Sequence, residues 1–122
     1  MTYTADFNQA VDFTLRAEGK LSNNPNDKGG LTKFGVTQAR WLQYRAKAAS
    51  LTGNSIASLP QSVSNITVDQ AIEFYFTEFW TAPGIALLPR ELQVPAFDFY
   101  VNSGDNAIES FPGWPESNIR RL

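Results

Sequence analysis

The sequence of 122 residues contains no histidine and no cysteine. Without these residues the chain has no Ser-His-Asp or Cys-His nucleophile, no thiol redox centre, no haem attachment and no ordinary zinc site. Any chemistry must therefore use carboxylates, hydroxyls, amides or amines. We expect neither a metal ion nor another cofactor.

Three further features are absent: an excess of basic residues, a long apolar run and a signal peptide. Ten basic and 12 acidic residues give a net charge of -2, which provides no general attraction to nucleic acid or to an anionic membrane. No run of about eighteen apolar residues occurs, and the start has neither a basic nor an apolar region. We therefore expect no nucleic-acid partner, no membrane insertion, and a protein that stays in the cytosol unless another protein releases it.

The chain has ample material for one folded core, because 43 % of its residues are apolar and 13 % are aromatic. Helical spacing of apolar residues predicts four helices, over about residues 6–18, 38–49, 68–82 and 95–103. The predicted starts of these helices are the capping box Asp6–Gln9, the cap Thr37, the capping box Thr67–Gln70 and Pro95 in a first turn.

The remaining residues predict irregular structure around one small sheet. A strand or hairpin is predicted over residues 31–36, after a polar surface loop at 19–30. Residues 50–66 are predicted as an irregular connection and the end from residue 111 as loose or irregular. The inward side of the second helix is predicted at Trp41, Leu42, Arg45 and Ala48 or Ala49.

Glu18 is the best candidate for an acid with unusual properties. It follows Phe7 by eleven positions and Val11 by seven, so the three side chains project within about 20° of one direction. A carboxyl at the end of an apolar stripe and before a polar loop is predicted at the lip of a cleft, partly withdrawn from water. Desolvation would raise its pKa, as a general acid requires. The alternative is an ordinary solvated glutamate at a helix end.

Asp27 is the candidate for a second carboxylate. It lies nine residues after Glu18 in a glycine-rich loop, where an ionised group could hold a water molecule. The alternative is a turn closed by the residues around it, Asn26 to Gly29. Thr32 and Thr37 offer hydroxyls nearby, although a helix cap alone would explain Thr37.

The run AEGKLSNNPNDKGGLTKFGVT at residues 17–37 resembles the start of glycoside hydrolase family 108. That family comprises phage and prophage endolysins of the lysozyme-like superfamily with N-acetylmuramidase activity. Two later segments, AIEFYFTEFW at residues 71–80 and FDFYVNSG at residues 97–104, resemble further blocks of the family in the same order. The sequence departs from the family pattern at Lys20, where a second glycine is usual, and at Val36, which replaces isoleucine.

The resemblance implies a mainly α, lysozyme-like fold of the α+β kind, with a short β-hairpin beside an active-site cleft. Residues 1–104 would form the muramidase domain. Residues 105–122 would be a remnant or altered start of the peptidoglycan-binding segment that the family usually continues there. The implied partner is the glycan strand of peptidoglycan, cut by a monomer. A holin would give access from the host cytoplasm to the cell wall or periplasm.

The resemblance also implies roles for individual residues. Glu18 would protonate the leaving oxygen of the β-1,4 linkage between N-acetylmuramic acid and N-acetylglucosamine, and Asp27 takes the position of the family's aspartate. A water held by Asp27 would give inversion, for which the two carboxyls lie about 6.5 to 9.5 Å apart. Thr32 is favoured as the water-holding hydroxyl with Thr37 in reserve, although the spacing in phage lysozymes falls on Lys33.

Four residues nearer the C-terminus are candidates for sugar binding together with Thr37. Tyr75 and Trp80 could offer aromatic faces to sugar rings, or could be core residues at helical spacing. Asp98 and Asn102 lie four positions apart and could form a sugar-binding edge, or a hydrogen-bonded pair within the last helix.

Two other functions remain as alternatives to the muramidase. A sugar-binding or structural phage protein that keeps the fold without turnover is favoured by Lys20 and by the shortened C-terminal segment. A wall amidase or peptidase is disfavoured, because these enzymes normally use zinc held by histidine or a cysteine nucleophile.

Overall fold

The computed structural model describes residues 3–18, 22–23, 31–52 and 59–119, with side chains omitted at 17–18, 22–23, 49–52, 105–106 and 119. The helices are α1 (Ala5–Glu18), α2 (Gln38–Thr52), α3 (Val68–Tyr75), α4 (Arg90–Ser103), α5 (Asp105–Ile108) and α6 (Glu116–Ile119). The strands are β1 (Ser22–Asn23), β2 (Leu31–Lys33) and β3 (Val36–Thr37). The predicted mainly helical architecture is confirmed. None of the helices in the described part is long and apolar enough to span a bilayer.

The chain divides into two compact units. The terminal unit consists of residues 1–13 and 75–122, and the middle unit of residues 14–74. The middle unit contains the sheet and α2. The terminal unit contains α4, α5 and α6.

Aromatic side chains form the core of the terminal unit. The ring of Phe7 lies 5.3 Å from that of Trp80 and 6.1 Å from that of Phe97, both edge to face. Phe79 and Tyr100 make a similar contact at 5.1 Å. Edge-to-face arrangements are favoured by the charge distribution of aromatic rings.

The start of α1 differs from the predicted capping box at Asp6. The helix begins one residue earlier, and the hydroxyl of Thr4 caps it by accepting a hydrogen bond from the Phe7 N–H at 3.2 Å. Asp6 instead accepts a hydrogen bond from Arg90 at 2.7 Å in an ion pair. The carboxylate of Asp6 thus pairs with the first residue of α4 and does not cap α1.

Helix α4 begins at Arg90, five residues before the predicted start, and contains Pro95 in its interior. The N–H of Leu92 donates to the carbonyl of Pro89 at 2.9 Å and opens the first turn. A proline inside a helix removes a backbone hydrogen bond at a cost of about 3 kcal/mol. The complete burial of Phe97 two residues later offsets part of that cost. Tertiary packing therefore overrides the local signal.

The C-terminal end, predicted as loose or irregular, is irregular at residues 111–115 and helical at 116–119, and it is packed rather than loose. Ile108 is buried, and the ring of Phe111 lies 5.6 Å from that of Phe99. The side-chain amide of Asn118 donates to the carbonyl of Gly84 at 2.9 Å. These contacts hold the segment on the terminal unit. The assignment of residues 105–122 to a separate segment stays a prediction.

The sheet of the middle unit is antiparallel with the order β1-β2-β3. The predicted hairpin is confirmed, whereas β1 lies within the stretch predicted as a loop. The turn between β2 and β3 has two residues, Phe34 and Gly35, with φ of 54° and 78°. Two successive positive φ angles make a type I′ turn, whose twist matches that of the strands. Glycine accepts this conformation without strain, and phenylalanine does not.

The caps predicted for α2 and α3 are confirmed. The hydroxyl of Thr37 accepts a hydrogen bond from the Arg40 N–H at 3.2 Å. At α3 the bonds are reciprocal: Gln70 N–H donates to the Thr67 hydroxyl, and Thr67 N–H donates to the Gln70 side chain. α3 then widens into a π-helical turn over Phe76–Thr81.

Residues 59–62 are irregular, as predicted, whereas residues 63–65 form a 3-10 turn and residues 50–52 belong to α2. Long side chains hold the backbone of residues 59–66. Trp41 donates to the carbonyl of residue 60 at 2.8 Å, and Arg45 to that of residue 59 at 3.0 Å. Gln38 donates to the carbonyl of residue 61 and accepts from the N–H of residue 63. Lys33 donates to the carbonyls of residues 64 and 66. We call residues 59–66 the bound segment.

Candidate active site

Glu18 lies only a few residues before the first strand of the sheet. Glu18 is the last residue of α1, and three residues separate it from Ser22. On α1 the side chains of Phe7, Ala10 and Val11 are buried and Leu15 is half-buried, which confirms the predicted apolar stripe up to the turn before Glu18. The side chain of Glu18 and the whole of Asp27 lie outside the described residues.

Thr32 and Thr37 lie opposite each other on neighbouring strands. The register pairs Thr32 with Thr37 across β2 and β3, and pairs Ser22 with Thr32 across β1 and β2. Directly opposed residues point to the same face of a sheet, with Cβ atoms about 4.5 to 5.5 Å apart. The two threonines that the sequence offers as alternatives are therefore neighbours on one face.

The hydroxyl of Thr37 is engaged in the cap of α2. Lys33, at the position given by the phage lysozyme spacing, points to the opposite face of the sheet from Thr32, because successive residues of a strand alternate. Its ammonium group donates to the carbonyls of Ser64 and Ile66 at 3.1 and 3.0 Å. The Lys33 ammonium is thus engaged on the other face of the sheet, and the role of Thr32 as the water-holding hydroxyl stays a prediction.

Tyr75 and Trp80 are core residues of the terminal unit. Their exposed fractions are 1 % and 2 %, and each ring lies within about 6 Å of Phe97, at 6.0 and 5.9 Å. A buried ring offers no face to a sugar. The prediction that these two residues bind sugar is thereby corrected in favour of the core alternative.

Asp98 and Asn102 form the hydrogen-bonded pair that the sequence allows. The side-chain amide of Asn102 donates to the backbone carbonyl of Asp98 at 2.8 Å and to its carboxylate at 3.3 Å. Asn102 is exposed and Asp98 half-buried, so both remain accessible. A sugar-binding role for this pair stays a prediction.

A metal site would need several carboxylates at one place in a chain without histidine or cysteine. In the described part of the chain, no three acidic side chains come together as a metal would require. The polar side chains described on the sheet include the hydroxyls of Thr32 and Thr37 and the ammonium of Lys33, which suit hydrogen bonding.

A family model, Glycosyl hydrolase 108, matches residues 11–104 of the chain. The chain belongs to this family. The matched range includes Glu18, Asp27 and both threonines of the sheet, and it ends at Gly104. The family 108 chain thus has its three catalytic candidates inside the matched range and its last two short helices outside it.

The family 108 chain is also similar to a solved structure, described as "Structure of Brucella abortus SagA". The two share 25 % sequence identity with a TM-score of 0.60. The similarity covers 84 % of this chain and 53 % of the SagA chain, so this chain spans about half of SagA. A comparison with curated proteins finds no match. The predicted mainly α, lysozyme-like fold is confirmed.

Two features of the candidate site were missed from the sequence. The adjacency of Thr32 and Thr37 has a signal, since a two-residue turn at residues 34–35 pairs residue 33 with 36 and residue 32 with 37. The contacts of Lys33 with residues 64 and 66 have none, because 31 and 33 positions separate the partners.

Proposed function

We propose that the protein is a muramidase that hydrolyses the β-1,4 linkage between N-acetylmuramic acid and N-acetylglucosamine in peptidoglycan, with Glu18 as the general acid. Membership of glycosyl hydrolase family 108 supports glycoside hydrolysis. A chain without histidine and cysteine leaves carboxylates as its strong acids and bases. Both observations point to the two-carboxylate chemistry of glycosidases.

The observation that carries the proposal is the short path from Glu18 to the sheet. Four residues of fully extended chain span at most about 14 Å, so the Cα atom of Glu18 lies within that distance of the Cα atom of Ser22. Ser22 pairs directly with Thr32. The backbone thus brings the candidate acid and the candidate hydroxyl into one part of the middle unit.

In the proposed reaction Glu18 donates its proton to the glycosidic oxygen as the bond to the anomeric carbon breaks. The developing oxocarbenium charge is stabilised by the carboxylate of Asp27, which also takes a proton from the attacking water. Thr32 would orient that water by a hydrogen bond. Water attack from the face opposite the leaving group gives an inverted product.

Residues 24–30, which include Asp27, connect two strand ends that are direct partners. Asn23 of β1 pairs with Leu31 of β2, so the connection starts and finishes at the same end of the sheet. This arrangement supports the assignment of Asp27 to the same site as Thr32.

We propose that the protein acts as an endolysin. It would remain in the host cytoplasm as a monomer until a holin opens the inner membrane, and would then cut glycan strands in the wall. Membership of glycosyl hydrolase family 108 supports this proposal.

Product analysis tests the reaction class. Digestion of purified peptidoglycan is expected to release new reducing sugar ends and no new amines, and borohydride reduction should label N-acetylmuramic acid. Label on N-acetylglucosamine would identify a different glycosidase and contradict the proposed linkage. New amines would indicate an amidase or peptidase. The absence of both products would favour the sugar-binding alternative, which Lys20 also supports.

The adjacent threonines permit a matched test of the water-orienting role. Replacing Thr32 with valine is expected to lower kcat by about ten- to hundredfold, because a hydrogen bond in a charged network is lost. Thr37→Val, on the same face, should instead lower the free energy of unfolding by about 1 kcal/mol through loss of the helix cap. Steady-state kinetics and urea unfolding separate the two effects. A larger loss of kcat in folded Thr37→Val would reassign the role to Thr37.

A further inference from the structure

The middle unit has a groove of about 450 Å³ that the proposed reaction does not use. It lies between β2, the outer side of α2 and the start of the bound segment. Its lining residues in the described part of the chain are Leu31, Gln38, Leu42, Arg45, Gln61 and Ser62.

The groove lies on the other side of the sheet from Thr32. Leu31 precedes Thr32 in β2, and neighbouring residues of a strand point to opposite faces. Lys33 shares the face of Leu31 and binds the bound segment, which confirms that this face is turned towards residues 61–66. A ligand in the groove would therefore sit apart from the face that carries the candidate hydroxyls.

One side chain supplies all the formal charge of the described lining. Arg45 donates from Nε to the carbonyl of Leu59 at 3.0 Å, which orients its guanidinium plane. Its two terminal amino groups carry four further N–H donors, in a geometry that suits a carboxylate. The groove is otherwise apolar at Leu31 and Leu42 and neutral at its amides and hydroxyl.

Helix α2, which carries Arg45, is positively charged as a whole. α2 contains Arg40, Arg45 and Lys47 and no acidic residue, in a chain whose net charge is -2. A local positive potential on an acidic protein favours an anionic ligand at this place. Leu42, with 44 % of its surface exposed, adds an apolar contact beside the cation.

We propose that this groove binds the stem peptide of peptidoglycan through one of its carboxylates. Arg45 would pair with the carboxylate, and the two leucines would contact the aliphatic part of the peptide. The inference rests on the proposed function, since it supplies a second contact for the same substrate. Four α-linked residues span at most about 14 Å, and the γ-linked D-glutamate of the stem adds to that reach. The sheet has three strands about 4.8 Å apart, so its two outer strands are separated by about 10 Å. A peptide of that length can therefore reach around the edge of the sheet from the face of Thr32 to the groove on the other face.

Binding of a soluble peptide tests the groove separately from catalysis. The probe is the free tetrapeptide L-Ala-γ-D-Glu-meso-diaminopimelate-D-Ala, titrated into the full chain and followed by amide chemical shifts. We expect shifts at residues of the groove and a Kd that increases at least about tenfold in Arg45→Gln, because a charge-assisted bond is lost. Lys47→Gln, the same change of charge two residues away on α2, removes only a part of the general positive potential and should raise the Kd by no more than about twofold.

A second variant tests the groove without removing Arg45 or its bond to Leu59. Leu42→Asp places a carboxylate three residues before Arg45 on the same helix face, where it competes with the peptide for the guanidinium. The exposure of Leu42 makes this change compatible with folding. We expect a loss of affinity similar to that of Arg45→Gln. Unchanged affinity in both folded variants, or no binding by the parent protein, would overturn the inference.

Cleavage assays separate this inference from the proposed function. On peptide-bearing glycan the parent protein should show a lower KM than on glycan stripped of its peptides, and Arg45→Gln should reduce that difference. Cleavage without peptide binding would reject the groove and keep the muramidase. Peptide binding by a protein that cuts neither substrate would keep the groove and reject the muramidase.

Discussion

Replacing Glu18 with glutamine is expected to reduce the rate of wall cleavage by about 10²- to 10⁴-fold, the usual contribution of a general acid. Glutamine has nearly the shape of glutamate and cannot supply the proton that the leaving sugar oxygen requires. The effect should appear in kcat, because the proton is transferred in the transition state and contributes little to binding the intact strand.

The rate is measured as clearing of a suspension of chloroform-permeabilised Gram-negative cells, together with release of reducing ends. Glu73→Gln is the matched control, since Glu73 is exposed on α3 and the substitution changes the net charge by the same amount. It should clear the cells at the parent rate. Equal clearing by the two variants would remove Glu18 from the role of acid and, with it, the central assignment of the proposed function.

Replacing Trp41 with alanine is expected to lower the free energy of unfolding by about 3 to 5 kcal/mol. Trp41 has no exposed surface, and its ring lies 5.5 Å from that of Tyr44 and 6.5 Å from that of Phe74. Its indole N–H also donates to the carbonyl of Pro60 at 2.8 Å. The loss is a large fraction of the total stability of a domain of this size. Urea unfolding followed by circular dichroism measures it.

Phenylalanine variants isolate the contribution of the indole hydrogen bond. Trp41→Phe keeps most of the ring and leaves the Pro60 carbonyl without its donor, at an expected cost of about 1 to 3 kcal/mol. Trp114 is the control, because its buried indole N–H has no hydrogen-bond partner in the part of the chain that the structure describes. Trp114→Phe should therefore cost less. Equal losses would show that the bond to Pro60 contributes nothing measurable.

Local signals predicted the helices whose ends are set by local chemistry. Helix α3 begins at the predicted cap, where Thr67 and Gln70 make reciprocal hydrogen bonds. Helix α2 likewise begins after the predicted cap, the hydroxyl of Thr37. Asp6 failed as a cap because a neighbouring threonine takes that role and a distant arginine takes the carboxylate. A cap can be predicted from its own residues only when no partner far along the chain competes for them.

Packing decided the features that the sequence predicted wrongly. Pro95 marks a helix start in isolation, yet α4 continues through it around a buried Phe97. The inward side of α2 also differs: Trp41 and Tyr44 are buried, whereas Leu42 is 44 % exposed and Arg45 lines the groove. In both cases the contacts come from residues remote in sequence, which periodicity does not contain.

The sequence predicted which helix and strand carry the candidate catalytic residues, but it did not predict which aromatic residues are buried. Glu18 at the end of α1 and Thr32 in a strand both follow from spacing and pattern. The aromatic residues Tyr75 and Trp80 fit core and ligand roles equally well as sequence, since both roles use rings at helical spacing. Their burial separates the two.

The bound segment carries a consequence for comparing this chain with its relatives. The hydrogen bonds that Gln38, Trp41, Arg45 and Lys33 make with residues 59–66 go to five backbone carbonyls and one backbone amide. Every amino acid supplies those carbonyls, so the residues of the segment other than the buried Val63 and Ile66 can be substituted while the path of the backbone is kept. A search for distant members should therefore weigh the four side chains that hold the segment more heavily than the residues being held.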